Sequence, residues 1–281
     1  MSTSSLVTTS KDLKSVLQNF QLENYNIGFV PTMGALHSGH KKLIVKALEE
    51  NQKVIVSIFV NPTQFNNAND LLAYPRHLEQ DLNFLSDLEN VTVFAPSVTD
   101  IYPENEVFHP MTLGEIAQVM EGEFRPGHFD GVVHVVHNLF HLVRPQKAYF
   151  GKKDYQQLAI IRAMNVHYGF PIEIIAVDTE RAENGLALSS RNLRLSSQQL
   201  EEALHIWKTL DWLKSNFNHL PFNVLKNEAV TYFQKGKLRL EYLQIVNQNT
   251  LQEISSKSEP AVCCIAAYCG EVRLIDNLEL N

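Results

Sequence analysis

No stretch of this chain is apolar for long enough to lie across a bilayer. Its apolar runs stay well short of the roughly 18 residues that a spanning helix needs. The opening MSTSSLVTTS lacks the basic and apolar regions of a secretory signal. Cysteine is scarce, with Cys263, Cys264 and Cys269 the three in 281 residues. An odd count with two adjacent thiols argues against a disulfide framework. Their setting, AVCCIAAYC, reads as a buried strand and not as a metal site. Positive charge is also in short supply: 24 Lys and Arg stand against 31 Asp and Glu, a net charge of −7. That balance offers no surface for a polyanion and makes nucleic acid a poor partner. The expectation is a soluble cytoplasmic protein with no membrane or nucleic-acid partner.

The chain does have ample apolar material, 44% of its residues, enough for one large domain or two smaller ones. Strand-like runs at Asn26–Val30, Val54–Val60, Val91–Ala95, Ala148–Phe150 and Ile172–Val177 alternate with helix-like runs. Those helices are expected at Lys11–Asn19, Ser38–Asn51, Arg76–Glu89, Gly131–Val143 and Asp154–Tyr168. Near-continuous apolar strands between amphipathic helices predict an α/β fold, a parallel sheet covered on both faces. Ligands of such sheets bind beyond the carboxyl ends of the strands. The pattern changes after about residue 185. A long helix over Ser196–Phe217 starts on a serine cap, and a second follows Pro221 over Asn223–Gln234. Strands near Leu240–Val246, Ala261–Tyr268 and Glu271–Ile275 then form a meander, with Cys269-Gly270 as a tight turn. The prediction is one domain over residues 1–183 and a smaller α+β domain over 184–281. The polar stretch Glu180–Asn192 reads as a mobile linker.

Polar residues gather where predicted strands end. The first such place is Met33-Gly34-Ala35-Leu36-His37-Ser38-Gly39-His40. A helix starting near Ser38 aims its unpaired N–H groups and positive dipole end at whatever lies beyond the strand. His37 and His40 can face the same point, to donate to phosphate or to protonate a leaving oxygen. The plain alternative is a turn with one capping histidine and one exposed one. The second place is Asn61-Pro62-Thr63-Gln64, with two amides suited to a hydroxylated acid, or else an Asn-Pro turn. The third, Arg125-Pro126-Gly127-His128, has two groups able to reach an anion. The fourth, Gly151-Lys152-Lys153-Asp154, ends a strand and offers lysines for phosphate, with Asp154 as a helix cap. Leu188-Ser189-Ser190-Arg191 adds hydroxyls and a guanidinium that could fold over a triphosphate.

Two other features are set aside. His134, His137 and His141 share one helical face, yet no carboxylate or cysteine joins them at ligand spacing, so they read as core or interface histidines. The two loop histidines do not fit the H-E-x-x-H zinc pattern either. Asp276 and Asn277 read as packing or turn residues.

Together these segments resemble the pantoate–β-alanine ligase (pantothenate synthetase) family. The matching pieces, in family order, are PTMGALHSGH, SIFVNPTQF, YPR at Tyr74–Arg76, FAPS at Phe94–Ser97, IYP at Ile101–Pro103, RPGHFDGV, FGKKDYQQL, LALSSRN and RLIDN at Arg273–Asn277. H-x-G-H alone would indicate only the wider nucleotidyltransferase superfamily; its combination with VNPTQF, KDYQQ and SSRN is far more specific.

The resemblance implies a Rossmann-like nucleotidyltransferase domain with a smaller lid-like α+β domain, in a homodimer. It implies that ATP and (R)-pantoate form pantoyl adenylate with magnesium accompanying the triphosphate, and that β-alanine then gives pantothenate and AMP. On the family pattern Met33–His40 hold ATP, with His37 and His40 near the phosphates and His40 as proton donor. Gly151, Lys152, Lys153, Asp154, Leu188, Ser189, Ser190 and Arg191 complete the nucleotide site. Gln64 and Gln157 bind pantoate, and Gln64 also lies near β-alanine. Asn61, Arg125 and His128 border the cleft. Lys152 departs from the family's usual Glu, leaving Lys153 as the lysine that aligns. Gln80 stands beside Asp81 where two acidic residues are common, and no protein ligand for magnesium is assigned. The rival readings are a cytidylyltransferase-like enzyme, which shares H-x-G-H, and a nucleotide-binding regulatory module without turnover.

Overall fold

The computed structural model describes residues 5–65, 71–72 and 74–281, so the first four residues of the stretch read for a leader lie outside it. The chain divides into two units. One comprises Met1–Leu113, Arg125–Lys152 and Ile160–Asp178; the other comprises Gly114–Phe124, Lys153–Ala159 and Thr179–Asn281. The second unit is therefore not a single run from residue 184.

The first unit is built on a six-stranded parallel sheet. Its strands are β1 (Ser5–Val7), β2 (Ile27–Thr32), β3 (Lys53–Ile58), β4 (Val91–Phe94), β5 (Lys147–Gly151) and β6 (Glu173–Val177). The spatial order is β1-β4-β3-β2-β5-β6. The connecting helices are α1 (Ser10–Leu22), α2 (Ser38–Glu50), α3 (Leu78–Phe84), α4 (His128–Val143) and α5 (Tyr155–His167). Phe29 and Val30 of β2 and Val54, Ile55 and Val56 of β3 have no solvent exposure. These strands are covered on both faces, which is why their sequences run apolar without alternation.

The chain leaves β2 to one side for β3 and β4, and to the other for β5 and β6. β2 and β5 are thus the topological switch point of the sheet. They pair only at Gly28↔Lys147 and Phe29↔Ala148, whereas β2 follows β3 as far as Thr32↔Ile58. Pro31, which has no N–H to give, is accommodated in β2 beyond its last pair with β5.

Some elements differ from their predicted bounds. β1 was not anticipated, because three residues at a sheet edge carry no periodic signal. α3 is half the predicted length; His77 before it sits at φ −131°, outside helical conformation, and Leu85 caps its end. α4 starts three residues early, on a left-handed Gly127. Lys152–Asp154 form a 3-10 turn before α5, so Asp154 is not the extended N-cap expected of it.

In the second unit α6 (Ser197–Asn216) and α7 (Phe222–Phe233) pack on an antiparallel sheet of β7 (Arg239–Asn247), β8 (Ala261–Cys269) and β9 (Val272–Glu279), ordered β7-β8-β9. The expected serine cap is Ser196, with Gln199 returning the bond. β8 is buried on both faces. Cys263, Ile265, Ala267 and Cys269 pack in the core that holds Ile206, Leu210 and Leu213 of α6 and Leu225, Ala229 and Phe233 of α7. Val262, Cys264 and Ala266 pack instead with Met120, Ile116 and Ala159. Those last contacts explain why two short segments far away in sequence belong to this unit. Arg273 strengthens the attachment, donating to Glu121 at 2.7 and 2.8 Å and to Glu241 at 2.5 and 2.8 Å. The three cysteines are buried thiols, as their setting predicted.

Candidate active site

The loop after β2 is pinned from below. Thr32 Oγ1 donates to Ser57 O at 2.7 Å and accepts from Gly34 N at 3.2 Å. Gly34 then turns left-handed at φ +81°, and a Cβ there would lie 3.0 Å from Asp81 Oδ2 and Ile58 Cγ2. Ala35 is also left-handed at φ 50°. Asp81, 3% exposed, accepts from Ala35 N at 3.0 Å and Leu36 N at 2.7 Å. A buried carboxylate thus takes up two loop N–H groups before the helix begins.

His37 is the N-cap of α2. Its Nδ1 accepts from Gly39 N at 3.2 Å, and His40 Nδ1 accepts from His37 N at 3.3 Å. This is a reciprocal capping box made of two imidazoles. The rings stand 4.1 Å apart, centroid to centroid. Backbone N–H groups only donate, so each neutral ring carries its proton on Nε2. Both histidines therefore cap and neither is exposed, so the alternative of one capping and one exposed histidine does not hold; capping is compatible with chemistry, because it engages Nδ1 and fixes which nitrogen bears the proton.

Asn61 and Gln64 lie on the 3-10 turn that follows β3. Asn61, 1% exposed, donates to Gln64 Oε1 at 3.1 Å and to Gly131 O at 3.0 Å. Its Oδ1 accepts from Thr63 Oγ1 at 3.0 Å and Tyr102 OH at 2.8 Å. Burial pushes the Tyr102 phenol up to about 12, so it stays a donor. Gln64 Nε2 lies 2.9 Å from Met33 Sδ, which places this amide against the β2 loop. His128, buried in the first turn of α4, donates from Nδ1 to Gln64 O at 2.9 Å. Gly131 allows the close approach; a Cβ there would meet Thr63 O at 2.6 Å. Asn61 and His128 thus build the support of Gln64. Arg125 is half-buried just ahead, its carbonyl accepting from His128 N at 3.0 Å.

Gly151 ends β5, beside β2 in the sheet. Lys152 pairs with Asp178 at 2.9 Å and holds that carboxyl below the usual range.

In the second unit Lys153 Nζ is 3.4 Å from Asp154 Oδ1. Lys153, Ser189, Arg191, Asn192, Arg273 and Asp276 line one cleft of that unit. Ser189 caps the 3-10 turn Ser190–Arg194, its Oγ accepting from Arg191 N at 3.2 Å. Leu188 N donates to Glu180 O at 2.9 Å, and Arg181 bridges to Ala187. The predicted linker is therefore a folded arm, because its backbone pairs with itself. Gln157 lies half-buried on α5, and its side-chain amide makes no hydrogen bond among the described residues. Its neighbour Gln156 is buried and donates to Ile116 O and Val119 O at 2.7 and 2.8 Å.

The histidine row of α4 is packed among rings. His134 donates to Glu106 at 2.8 Å and stacks on Phe108 at 4.0 Å. His137 contacts Phe108, Tyr168 and Phe170. Among the described residues no three His, Cys, Asp or Glu side chains are grouped to hold a metal.

Asp81, on α3, anchors the β2 loop, a role not expected from the sequence. A signal was there: it takes the i+3 place in the stripe Leu78, Leu82, Leu85, a carboxylate where a core residue belongs.

Fold and loop together define a class, a doubly wound α/β protein with an H-x-G-H helix start at its switch point, as in nucleotidyltransferases. A family model described as pantoate-beta-alanine ligase matches residues 5–279. The pantothenate synthetase of Phocaeicola vulgatus is 48% identical over 286 residues, covering 98% of both chains. The crystal structure of the pantothenate synthetase from Thermus thermophilus matches with a TM-score of 0.92 at 40% identity, over 98% of this chain and 99% of that one. The pantoate–β-alanine ligase of Francisella tularensis, complexed with beta-gamma ATP and β-alanine, matches with a TM-score of 0.82 at 39% identity, over 99% and 98%. The chain belongs to the pantoate–β-alanine ligase family, and it is a ligase.

Proposed function

We propose that the chain joins (R)-pantoate to β-alanine at the cost of ATP, in two steps through pantoyl adenylate. A carboxylate is a poor acylating agent because its leaving group would be oxide. In the first step a pantoate carboxylate oxygen attacks the α-phosphorus, the bond to the β-phosphate oxygen breaks, and pyrophosphate leaves. In the second the β-alanine amine attacks the acyl carbon, AMP leaves with the former carboxylate oxygen, and the amine gives up a proton.

The observation that carries this reading is the imidazole capping box at the switch point. Its Nε2–H groups and the start of α2 suit charge that builds on phosphate oxygens. Residues Met33 to His40, with Gly151, Lys152, Lys153, Asp154 and Leu188 to Arg191, serve the nucleotide; His37, His40, Lys153 and Arg191 stabilise the transferring phosphate, with His40 donating a proton. Gln64 and Gln157 hold pantoate, and Gln64 also meets β-alanine. Asn61 and His128 support Gln64 from behind, and Arg125 borders the cleft. Magnesium would accompany the triphosphate and neutralise part of its charge; Asp81 is engaged by backbone N–H groups and Asp178 by Lys152, and no protein ligand is assigned to the metal. The enzyme works in the cytoplasm as a homodimer, as the family resemblance implies.

The test uses pantoate labelled with ¹⁸O in its carboxylate. Transfer of one labelled oxygen into AMP, with pantothenate formed in equal amount, is the expected result. Unlabelled AMP would exclude the adenylate.

A further inference from the structure

One buried polar cluster of the second unit has no role in the mechanism above. Asp276, 4% exposed, receives both arms of Arg181, at 2.6 Å from Nη1 and 2.9 Å from Nη2, and the N–H of Asn277 at 2.8 Å. Arg181 also donates to Gly185 O and Asn277 O, each at 3.1 Å, and lies 4.1 Å over the Trp207 ring. Apolar residues of similar volume usually replace a buried ion pair at no loss of stability, so the pair calls for another reason.

Its two ends supply one. At one end Asn277 Nδ2 donates to the carbonyl of Lys153 at 2.8 Å. At the other, Arg181 lies on the arm that bridges to Ala187 and leads into Ser189. Lys153, Ser189, Arg191 and Asp276 line the same cleft. The cluster therefore ties the Lys153 backbone to the arm that leads into the Ser189–Arg191 turn, two segments otherwise far apart in sequence.

We propose that Asn277, backed by the Arg181–Asp276 pair, is a positioning residue that sets Lys153 against the Ser189–Arg191 turn for a triphosphate. The inference rests on the reading of Lys153 as a phosphate-binding residue.

The experiment is a double-mutant cycle on magnesium-ATP affinity, by calorimetry, with Asn277→Ala, Lys153→Ala and the pair, each also melted thermally. Asn277→Ala weakens binding about 10-fold through misplacement of the lysine. Lys153→Ala weakens it more, and the double variant binds like Lys153→Ala alone, because Asn277 acts through that side chain. Two results would overturn the proposal while leaving Lys153 in the site: Asn277→Ala binding like the unchanged chain, even with a lowered Tm, or the two losses multiplying. Unchanged affinity in Lys153→Ala would instead remove the reading on which the proposal rests, and the proposal with it. Should Asn277→Ala not fold, Asn277→Ser, which keeps a polar group and loses the amide, carries the same cycle with the same outcomes.

Discussion

Two sets of histidines sit on helices of the first unit, and they are put to opposite uses. His37 and His40 are three apart at the start of α2; His134, His137 and His141 are three and four apart along α4. Spacing alone would rate the row of three more highly. In the α2 pair each Nδ1 accepts a backbone N–H, which leaves the proton on Nε2. In the α4 row His134 gives Nε2–H to Glu106, and His137 gives Nδ1–H to Asn138 and accepts from His141. Rings of Phe108, Tyr168 and Phe170 pack against that row. What separates them is backbone context: a helix start at a switch point supplies donors that orient an imidazole, and a helix middle supplies only neighbours to pack against.

The strongest way to break this contrast is His40→Ala. Adenylation should fall about 10²- to 10⁴-fold, the usual range for a lost acid–base group. The lost cap costs about 1 kcal/mol of stability. A rate within threefold of the unchanged chain would reduce the pair to caps. Asp81→Ala attacks the same region from beneath. It leaves the Ala35 and Leu36 N–H groups without their buried acceptor and should cost about 3 kcal/mol in chemical denaturation, with reduced adenylation. Retained stability would mean the loop holds itself.

His134→Ala probes the other set. Loss of its bond to Glu106 and its stacking on Phe108 should cost about 1–2 kcal/mol while the adenylation rate stays unchanged. A tenfold lower rate would bring the row into the chemistry. The smallest effect concerns pH. Burial, then His137 and Arg144, hold the His141 ring below its ordinary pKa. A lowered native pKa means the unfolded ring takes its proton first as pH falls through about 6.5. Stability therefore declines below that pH until the native ring also protonates. Asn in place of His141 should flatten the dependence of Tm on pH in this window; an unchanged slope would assign it to other groups.

The sheet was legible because covered strands such as VIVSIFV, apolar at every position but Ser57, are near-continuously apolar and short. Helix starts were less so. Glycine at 127 in a left-handed turn let α4 begin at His128, which turned an apparent anion-binding loop residue into a buried prop for Gln64. The segmented second unit was illegible for a different reason. Its membership depends on Met120 and Glu121 meeting β7–β9 residues more than a hundred positions later, and no local pattern encodes that. Asp276 and Asn277, set aside as packing residues, have partners just as distant.

The central claim is that this site activates pantoate as its adenylate. The most direct measurement is pyrophosphate–ATP exchange with magnesium, with and without (R)-pantoate and with β-alanine left out. Exchange that appears only when pantoate is present is the predicted result. Absence of exchange in a chain shown to bind ATP, or exchange indifferent to pantoate, would contradict it.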